Sequence, residues 1–184
     1  MSRIPPSLCP DTTVLMIIDL QDRLLPAIHE AQACVAASGR MIEAAKILGV
    51  PMVCTEQYPL GIGRTCQTIR DSLGDLPAFE KTRFSACVEA VLNRLRELDR
   101  PNIIVVGIEA HVCVQQTVLD LLRQGFLPVV CVDGIGSRRP LDRDVAIDRM
   151  RQAGAVITTT ESAIFELTGD AGSKEFRTIL KVVK

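Results

Sequence analysis

One cysteine in this sequence lies where a nucleophile is expected to work. Cys113 follows the apolar run 102–106 and precedes a stretch with the pattern of an amphipathic helix. In open parallel sheets, ligands bind at the carboxyl ends of the strands. A thiol at the start of a helix also has its pKa lowered by the helix dipole. We therefore predict that Cys113 is a nucleophile with a depressed pKa, and that it alkylates faster than the other cysteines.

Two ionisable residues lie at the ends of other strand-like segments. Asp19 follows the run 14–18, and Lys81 lies in the alternating segment 79–84. If the strands are parallel, these ends meet Cys113 at one crevice. A thiol nucleophile needs a base that takes its proton and a cation that keeps this base charged and oriented. Taken singly, each residue has an ordinary interpretation as a turn cap, a solvated lysine or a core cysteine.

The elements that must position these residues follow a repeated pattern. Helical stretches closed by a glycine lead into β-branched runs at 50–55, 127–132 and 156–160. The continuous apolar runs 14–18 and 103–106 are typical of strands that are buried on both faces of a parallel sheet. Helices are predicted over 30–48, 86–99, 111–124, 140–153 and 173–182. The pattern indicates an α/β fold, a three-layer α/β/α sandwich on a doubly wound parallel sheet, with an irregular binding loop or lid over 57–77.

Composition limits the class of protein. The chain has 184 residues, 47% of them hydrophobic, which suits a single domain over 1–184. The net charge of −1 and the absence of long charged blocks argue against nucleic acid or a membrane surface as partner. Residues 1–6 contain no apolar signal core, and no run approaches the ~18 residues of a membrane span. The seven cysteines include no Cys-x-x-Cys pair and suit reduced thiols. We expect a cytoplasmic protein with a small-molecule substrate.

Three motifs together resemble those of the isochorismatase-like cysteine hydrolases in order and spacing. The motifs are Ile17-Ile18-Asp19-Leu20-Gln21, Glu80-Lys81-Thr82-Arg83-Phe84-Ser85 and Gly107-Ile108-Glu109-Ala110-His111-Val112-Cys113-Val114. The resemblance extends over nearly the whole chain. It implies a six-stranded parallel sheet in the order 3-2-1-4-5-6 with helices on both faces.

The resemblance also implies a role for each motif residue. Asp19 accepts the thiol proton, Lys81 orients Asp19, and Cys113 attacks an amide-type carbonyl to form a thioester that water resolves. Backbone N–H groups of Glu109 and Cys113 form the oxyanion hole, and the Ile108–Glu109 peptide bond is cis. The residues expected to contact the substrate flank the motifs: Gln21, Gln57, Tyr58, Phe84, Ile108 and His111, with Glu109 nearby.

Several of these residues have a second interpretation. Tyr58 and Phe84 equally suit ordinary packing, and His111 suits a helix cap or an exposed position. Arg138 and Arg139 suit a carboxylate site, a solvated helix start or a subunit contact.

Departures from the family pattern favour one branch. Nicotinamidases of this family hold a metal with an aspartate and two histidines, whereas this chain has only His29 and His111 and reads Thr-Glu-Gln-Tyr-Pro-Leu-Gly over 55–61. No metal and no cofactor are expected. True isochorismatases do not need the cysteine, so Cys113 favours a covalent, amidase-like reaction. The predicted function is a metal-independent cysteine hydrolase that acts on a small-molecule amide, ureide or related C–N bond. The alternatives are a catalytically idle binding or scaffold protein and a redox-responsive thiol protein.

Self-association is expected as well. The helices carry more apolar side chains than one domain needs, among them Leu119, Leu121, Leu122, Ile135, Ile164 and Phe165. We predict a homo-oligomer, a dimer or tetramer, with 135–143 and the helix after Cys113 in the interface. A neighbouring subunit is expected to close the crevice under 57–77.

Overall fold

Six parallel strands form one sheet in the computed structural model, which describes residues 7–184. The spatial order is β3-β2-β1-β4-β5-β6, so the predicted fold and strand order are confirmed. The strands are β1 (Thr13–Ile18), β2 (Met52–Gln57), β3 (Ala78–Lys81), β4 (Asn102–Ile108), β5 (Leu127–Gly136) and β6 (Val156–Thr158). The two central strands, β1 and β4, are buried along their whole length, as their continuous apolar runs predict.

Helices cover both faces of this sheet. They are α1 (Ala31–Leu48), α2 (Pro59–Ile62), α3 (Gln67–Leu73), α4 (Glu89–Leu98), α5 (Gln115–Arg123), α6 (Pro140–Gln152), α7 (Thr160–Thr168) and α8 (Phe176–Val183). One apolar cluster joins α1, α3, α7 and α8 to the sheet, and a second joins α4, α5 and α6 to the other face. Successive residues of β1 alternate between the two clusters: Leu15 and Ile17 belong to the first, and Val14, Met16 and Ile18 to the second.

The stretch 57–77 differs from the sequence prediction. It is not an irregular loop, because it contains the two short helices α2 and α3. Ile69 and Leu73 of α3 are buried in the first apolar cluster, which fixes this helix on the sheet. Seven residues are too few to show a clear helical period in the sequence. Helix α7 was also missing from the prediction.

The turn that carries the cysteine also differs from the prediction. A π-helical turn (Ala110–Val114) separates β4 from α5, whereas a regular helix was predicted from residue 111. Strand β5 continues to Gly136, four residues beyond the predicted end, and pairs there with Ile108. Both changes lie at the carboxyl end of the sheet and bring the end of β5 next to the turn.

The apolar side chains predicted to be in surplus pack within the chain itself. Leu121, Ile135 and Ile164 are buried, and Leu119, Leu122 and Phe165 are partly covered. That part of the argument for self-association is therefore wrong. Within residues 7–184, the large apolar side chains that are exposed are Tyr58, Leu60, Phe84, Leu141 and Val145. Across residues 7–184, no helix combines the length and the apolar character that crossing a membrane requires.

Candidate active site

Three predicted residues meet at the carboxyl end of the sheet. Asp19 follows β1, Lys81 ends β3, and Cys113 lies in the turn after β4. Lys81 Nζ lies 2.6 Å from Asp19 Oδ2, and both side chains are fully buried. The Asp19 carboxyl and the Cys113 thiol are close enough that each affects the pKa of the other. The structure thus brings together the cation, the carboxyl group and the thiol that the sequence predicted.

The Asp19 carboxyl is held through both oxygens. Thr55 Oγ1 donates a hydrogen bond to Oδ1 at 2.8 Å, and Lys81 donates to Oδ2. The Asp19 backbone N–H donates to the Thr55 carbonyl at 3.2 Å. Thr55 pairs with Ile18 in the β1–β2 register, which places its hydroxyl beside the residue that follows β1. No role for Thr55 was predicted, because this contact depends on the strand register rather than on a local motif.

The Lys81 ammonium is surrounded by acceptors. Besides Asp19, it donates to Gln57 Oε1 at 2.8 Å and to the Phe84 carbonyl at 3.0 Å, with the Arg83 carbonyl at 3.3 Å. An ammonium group has three N–H bonds, and these contacts engage all of them. Lys81 therefore has no free proton for a ligand and acts on its surroundings through its charge.

Two glutamines build the frame around this lysine. The Gln21 side chain accepts from the Gln57 backbone N–H at 2.7 Å and donates to the carbonyls of Gln57 at 3.0 Å and Gly63 at 2.6 Å. The Gln57 side chain donates to the Thr82 carbonyl at 2.7 Å while accepting from Lys81. Both residues were predicted to contact substrate. Because the protein itself engages their amides, the geometry favours a positioning role for both.

Burial controls the ionisation of the carboxyl and the thiol. It raises the pKa of Asp19 above its usual range, although the Lys81 ammonium and the Thr55 hydroxyl oppose this shift. Burial, together with the negative charge of Asp19, raises the pKa of Cys113 to about 12, with Lys81 opposing. The predicted depressed pKa of Cys113 is therefore wrong. The thiol packs in the apolar cluster under α4–α6, and desolvation there outweighs any effect of the helix.

The turn before Cys113 directs one backbone N–H at the sulfur. The Ile108–Glu109 peptide bond is cis, and the Glu109 N–H lies against the thiol and lowers its pKa. The Glu109 carbonyl accepts from the N–H groups of Val112 at 3.0 Å and Val114 at 3.2 Å. The carbonyl is therefore occupied inside the turn, and the N–H is the Glu109 backbone group that faces the thiol.

Side chains on both sides of Ala110 are anchored to the segment after β5. His111 Nδ1 lies 2.9 Å from Ser137 Oγ, and Glu109 Oε2 accepts from Arg138 Nε at 2.8 Å. His111 was predicted to contact the substrate. For Arg138 the sequence left open a carboxylate site, a solvated helix start or a subunit contact. No role was predicted for Ser137, because its contact with His111 depends on the tertiary structure rather than on a local pattern.

The remaining predicted substrate contacts differ in their exposure to solvent. Tyr58 and Phe84 are about half exposed, at 52% and 54%. Tyr58 also lines a cavity of about 360 Å³ together with Leu60, Val88 and the Lys81 segment. The Ile108 side chain is fully buried in the opposite apolar cluster. The structure therefore does not bring Ile108 into contact with the crevice.

The candidate site does not assemble a set of metal ligands. Within residues 7–184, no three His, Cys, Asp or Glu side chains lie together in a way that would hold a metal ion. The position next to Asp19 where a cation would be attracted is taken by the Lys81 ammonium.

Comparisons with known proteins agree on the family. The family model described as Isochorismatase domain matches residues 13–162. Isochorismatase family protein 1B of Dictyostelium discoideum is 41% identical over 180 residues, which cover 95% of this chain and 87% of that protein. A solved structure of MAR1 ribonuclease from Caenorhabditis elegans has a TM-score of 0.93 at 39% identity and covers 97% of this chain and 92% of that one.

A more distant structure shares the fold. The YcaC gene product of Escherichia coli, described as an octameric hydrolase of unknown specificity, has a TM-score of 0.89 at 23% identity. The match covers 98% of this chain and 92% of that one.

Proposed function

This chain belongs to the isochorismatase family, and we propose that it is a metal-independent cysteine hydrolase that acts on a small-molecule amide, ureide or related C–N bond. One observation carries the proposal. The buried Asp19 carboxyl lies between a lysine ammonium at 2.6 Å and the Cys113 thiol. This is the arrangement that transfers a proton from a thiol to a carboxylate as the sulfur attacks a carbonyl carbon.

The first half of the proposed reaction forms a thioester. Asp19 takes the proton of Cys113 while the sulfur attacks the carbonyl carbon of the substrate. The oxyanion accepts hydrogen bonds from the backbone N–H groups of Glu109 and Cys113. Its collapse breaks the C–N bond, and Asp19 returns the proton to the leaving nitrogen. Ammonia or an amine leaves, and the acyl group stays on sulfur.

The second half restores the free thiol. A water molecule attacks the thioester and gives its proton to Asp19, and collapse of the second oxyanion releases the acid. Asp19 then protonates the sulfur. The Lys81 ammonium has no lone pair to accept a proton, and its N–H groups are already engaged by protein acceptors, so it transfers no proton in either half. Its charge keeps Asp19 ionised and oriented between the steps.

The raised pKa values fit this sequence of proton transfers. Burial raises the pKa of Asp19, which makes its carboxylate a stronger base than an exposed aspartate. The thiol keeps its proton before the substrate arrives, because burial raises its pKa as well. Thiolate is thus produced during attack rather than stored in the free enzyme.

Three alternatives remain as outcomes of the test. A scaffold protein would turn nothing over, and a redox-responsive protein would respond to peroxide at a thiol. The similar Caenorhabditis elegans protein is called a ribonuclease, so RNA cleavage is the third alternative. RNA affinity depends on phosphate contacts with basic residues, and the net charge of −1 and the buried, saturated Lys81 offer little such attraction.

The decisive experiment screens small amides and ureides for turnover with wild type, Cys113→Ala and Cys9→Ala. Cys9 is the matched control because its thiol is exposed. We expect turnover with wild type and Cys9→Ala, none with Cys113→Ala, an acyl adduct on Cys113 by intact mass, and no loss of activity in EDTA. Turnover by Cys113→Ala would contradict the proposal, as would RNA cleavage that depends on Cys113. Loss of activity in EDTA with recovery on adding zinc would contradict the metal-independent mechanism.

A further inference from the structure

Two consecutive residues after β5 hold both ends of a three-residue segment in the turn before the nucleophile. Ser137 Oγ contacts His111 Nδ1 at 2.9 Å, and Arg138 Nε donates to Glu109 Oε2 at 2.8 Å. Ala110, between the two anchored residues, is buried in the apolar cluster. The polar anchors of this segment therefore come from two consecutive residues just after β5, the strand that pairs with β4.

The serine is itself firmly placed. It is 1% exposed, and its carbonyl accepts the His29 backbone N–H at 3.0 Å, just before α1. The residue that precedes it, Gly136, pairs with Ile108 across the β4–β5 ladder. Ser137 is thus fixed from two directions and offers a rigid support to His111.

The arginine has an electrostatic effect as well. Glu109 carries its carboxylate on the same residue whose backbone N–H faces the Cys113 sulfur. The Glu109 side chain is mostly covered, at 15% exposure, and its carboxylate is paired with the guanidinium of Arg138, whose side chain is more exposed. An unpaired carboxylate here would repel the negative charge that develops on a substrate oxygen at that N–H.

We propose that Ser137 and Arg138 are positioning residues, which hold the Glu109–Cys113 turn in place and neutralise the Glu109 carboxylate beside the oxyanion. This inference rests on the proposed hydrolase function. It assigns a role to two residues that contact neither the sulfur of Cys113 nor the carboxyl group of Asp19. It also gives the ion pair between Arg138 and Glu109 a function in catalysis.

The test of Arg138 uses a charge-rescue series. The variants are Arg138→Met, Arg138→Lys, Glu109→Gln with Arg138→Met, and Arg139→Met as the matched control on the adjacent exposed arginine. We expect Arg138→Met to lower kcat about tenfold with little change in KM, less than removing an oxyanion-hole donor outright. Arg138→Lys is expected to retain part of the activity. The double variant should recover to within about threefold of wild type, because no unpaired carboxylate remains.

A second readout does not depend on turnover. The rate of Cys113 alkylation at one fixed, mildly alkaline pH reports the fraction of thiolate, which we expect to be lower in Arg138→Met and to return toward the wild-type value in the double variant. Equal behaviour of Arg138→Met and Arg139→Met would overturn the role of Arg138, as would a double variant no better than the single. If the alkylation series behaves as expected while no amide is hydrolysed, the positioning role stands and the proposed hydrolase function fails.

The role of Ser137 is tested with Ser137→Ala. We expect faster amide hydrogen exchange over residues 109–114 and unchanged exchange in β1 and β4, because only the support of His111 is lost. Unchanged exchange over 109–114 would overturn the role of Ser137.

Discussion

Gly107 in β4 approaches Ile18 in β1 so closely that a Cβ atom on the glycine would lie 2.1 Å from the Ile18 carbonyl oxygen. The glycine has a φ of +130°, a backbone conformation that residues with a side chain rarely adopt. Asp19 follows Ile18, and the Glu109 turn follows Gly107 by two residues. The close approach of the two backbones therefore sets the spacing between the proposed base and the turn that carries the nucleophile.

A side chain at this glycine is expected to break that spacing. Gly107→Ala should lower the free energy of unfolding by about 2–6 kcal/mol, through the clash and the unfavourable φ together. The measurement is urea unfolding. Gly39→Ala is the control, since its Cβ would meet nothing within 4 Å in α1, and it should be neutral or raise stability by about 0.5–1 kcal/mol. Equal stability of the two variants would refute this view of Gly107.

The pH dependence of kcat/KM should report the Asp19 carboxyl. Asp19 must be ionised to accept the thiol proton, so activity falls as the pH decreases through its pKa in the folded protein. Because burial raises this pKa, the acid limb should lie above 3.8, the usual value for aspartate. Circular dichroism at each pH separates this effect from unfolding. An acid limb at or below 3.8 in folded protein would argue against Asp19 as the base.

Limited alkylation at neutral pH should label Cys9 before Cys113. Cys9 is exposed, whereas burial and the Asp19 charge raise the pKa of Cys113 to about 12 and leave little thiolate. Iodoacetamide treatment followed by peptide mapping gives the order, and labelling of Cys113 should accelerate as the pH rises. Preferential labelling of Cys113 at neutral pH would contradict the raised pKa and support the depressed pKa that the sequence predicted.

Removing the lysine charge should affect both stability and catalysis. Lys81→Met leaves the Asp19 carboxyl buried without its partner, so we expect a loss of about 3–5 kcal/mol in unfolding free energy. In the folded fraction, kcat should fall by about 10²–10⁴, since the base loses its orientation. Lys174→Met is the control because that side chain is 91% exposed. A folded Lys81→Met protein with full turnover would exclude Lys81 from the mechanism.

Self-association should appear in light scattering. The exposed apolar side chains Tyr58, Leu60 and Phe84 lie around the site, and Leu141 and Val145 lie one turn apart on α6. Such side chains are commonly covered by a partner, so we expect a mass above the 20.1 kDa of one chain. Leu141→Lys with Val145→Lys should lower the mass if α6 is in the interface. A fully active monomer at micromolar concentration would contradict this expectation.

The sequence predicted the features that depend on local pattern and family motifs. The buried strands β1 and β4 follow from apolar runs, the strand order follows from the resemblance, and Asp19, Lys81 and Cys113 follow from the motifs. Contacts that depend on register between strands were not accessible. The Thr55 hydroxyl reaches Asp19 because β2 pairs with β1 in one particular register. Similarly, the sequence places Cys113 after a strand but does not show how deeply its thiol is buried.

The lysine of the buried ion pair stands on the terminal strand of the sheet. β3 has four residues and is hydrogen-bonded within the sheet to β2 alone, while Asp19 follows the fully buried β1. Edge elements with few buried contacts open more often than the core. The two halves of the pair therefore differ in local stability, and transient fraying of β3 would separate the charges while the rest of the sheet stayed folded. On warming, the catalytic arrangement would be lost at a lower temperature than the secondary structure. The temperature at which activity falls would then depend on the local stability of β3 rather than on the stability of the whole fold.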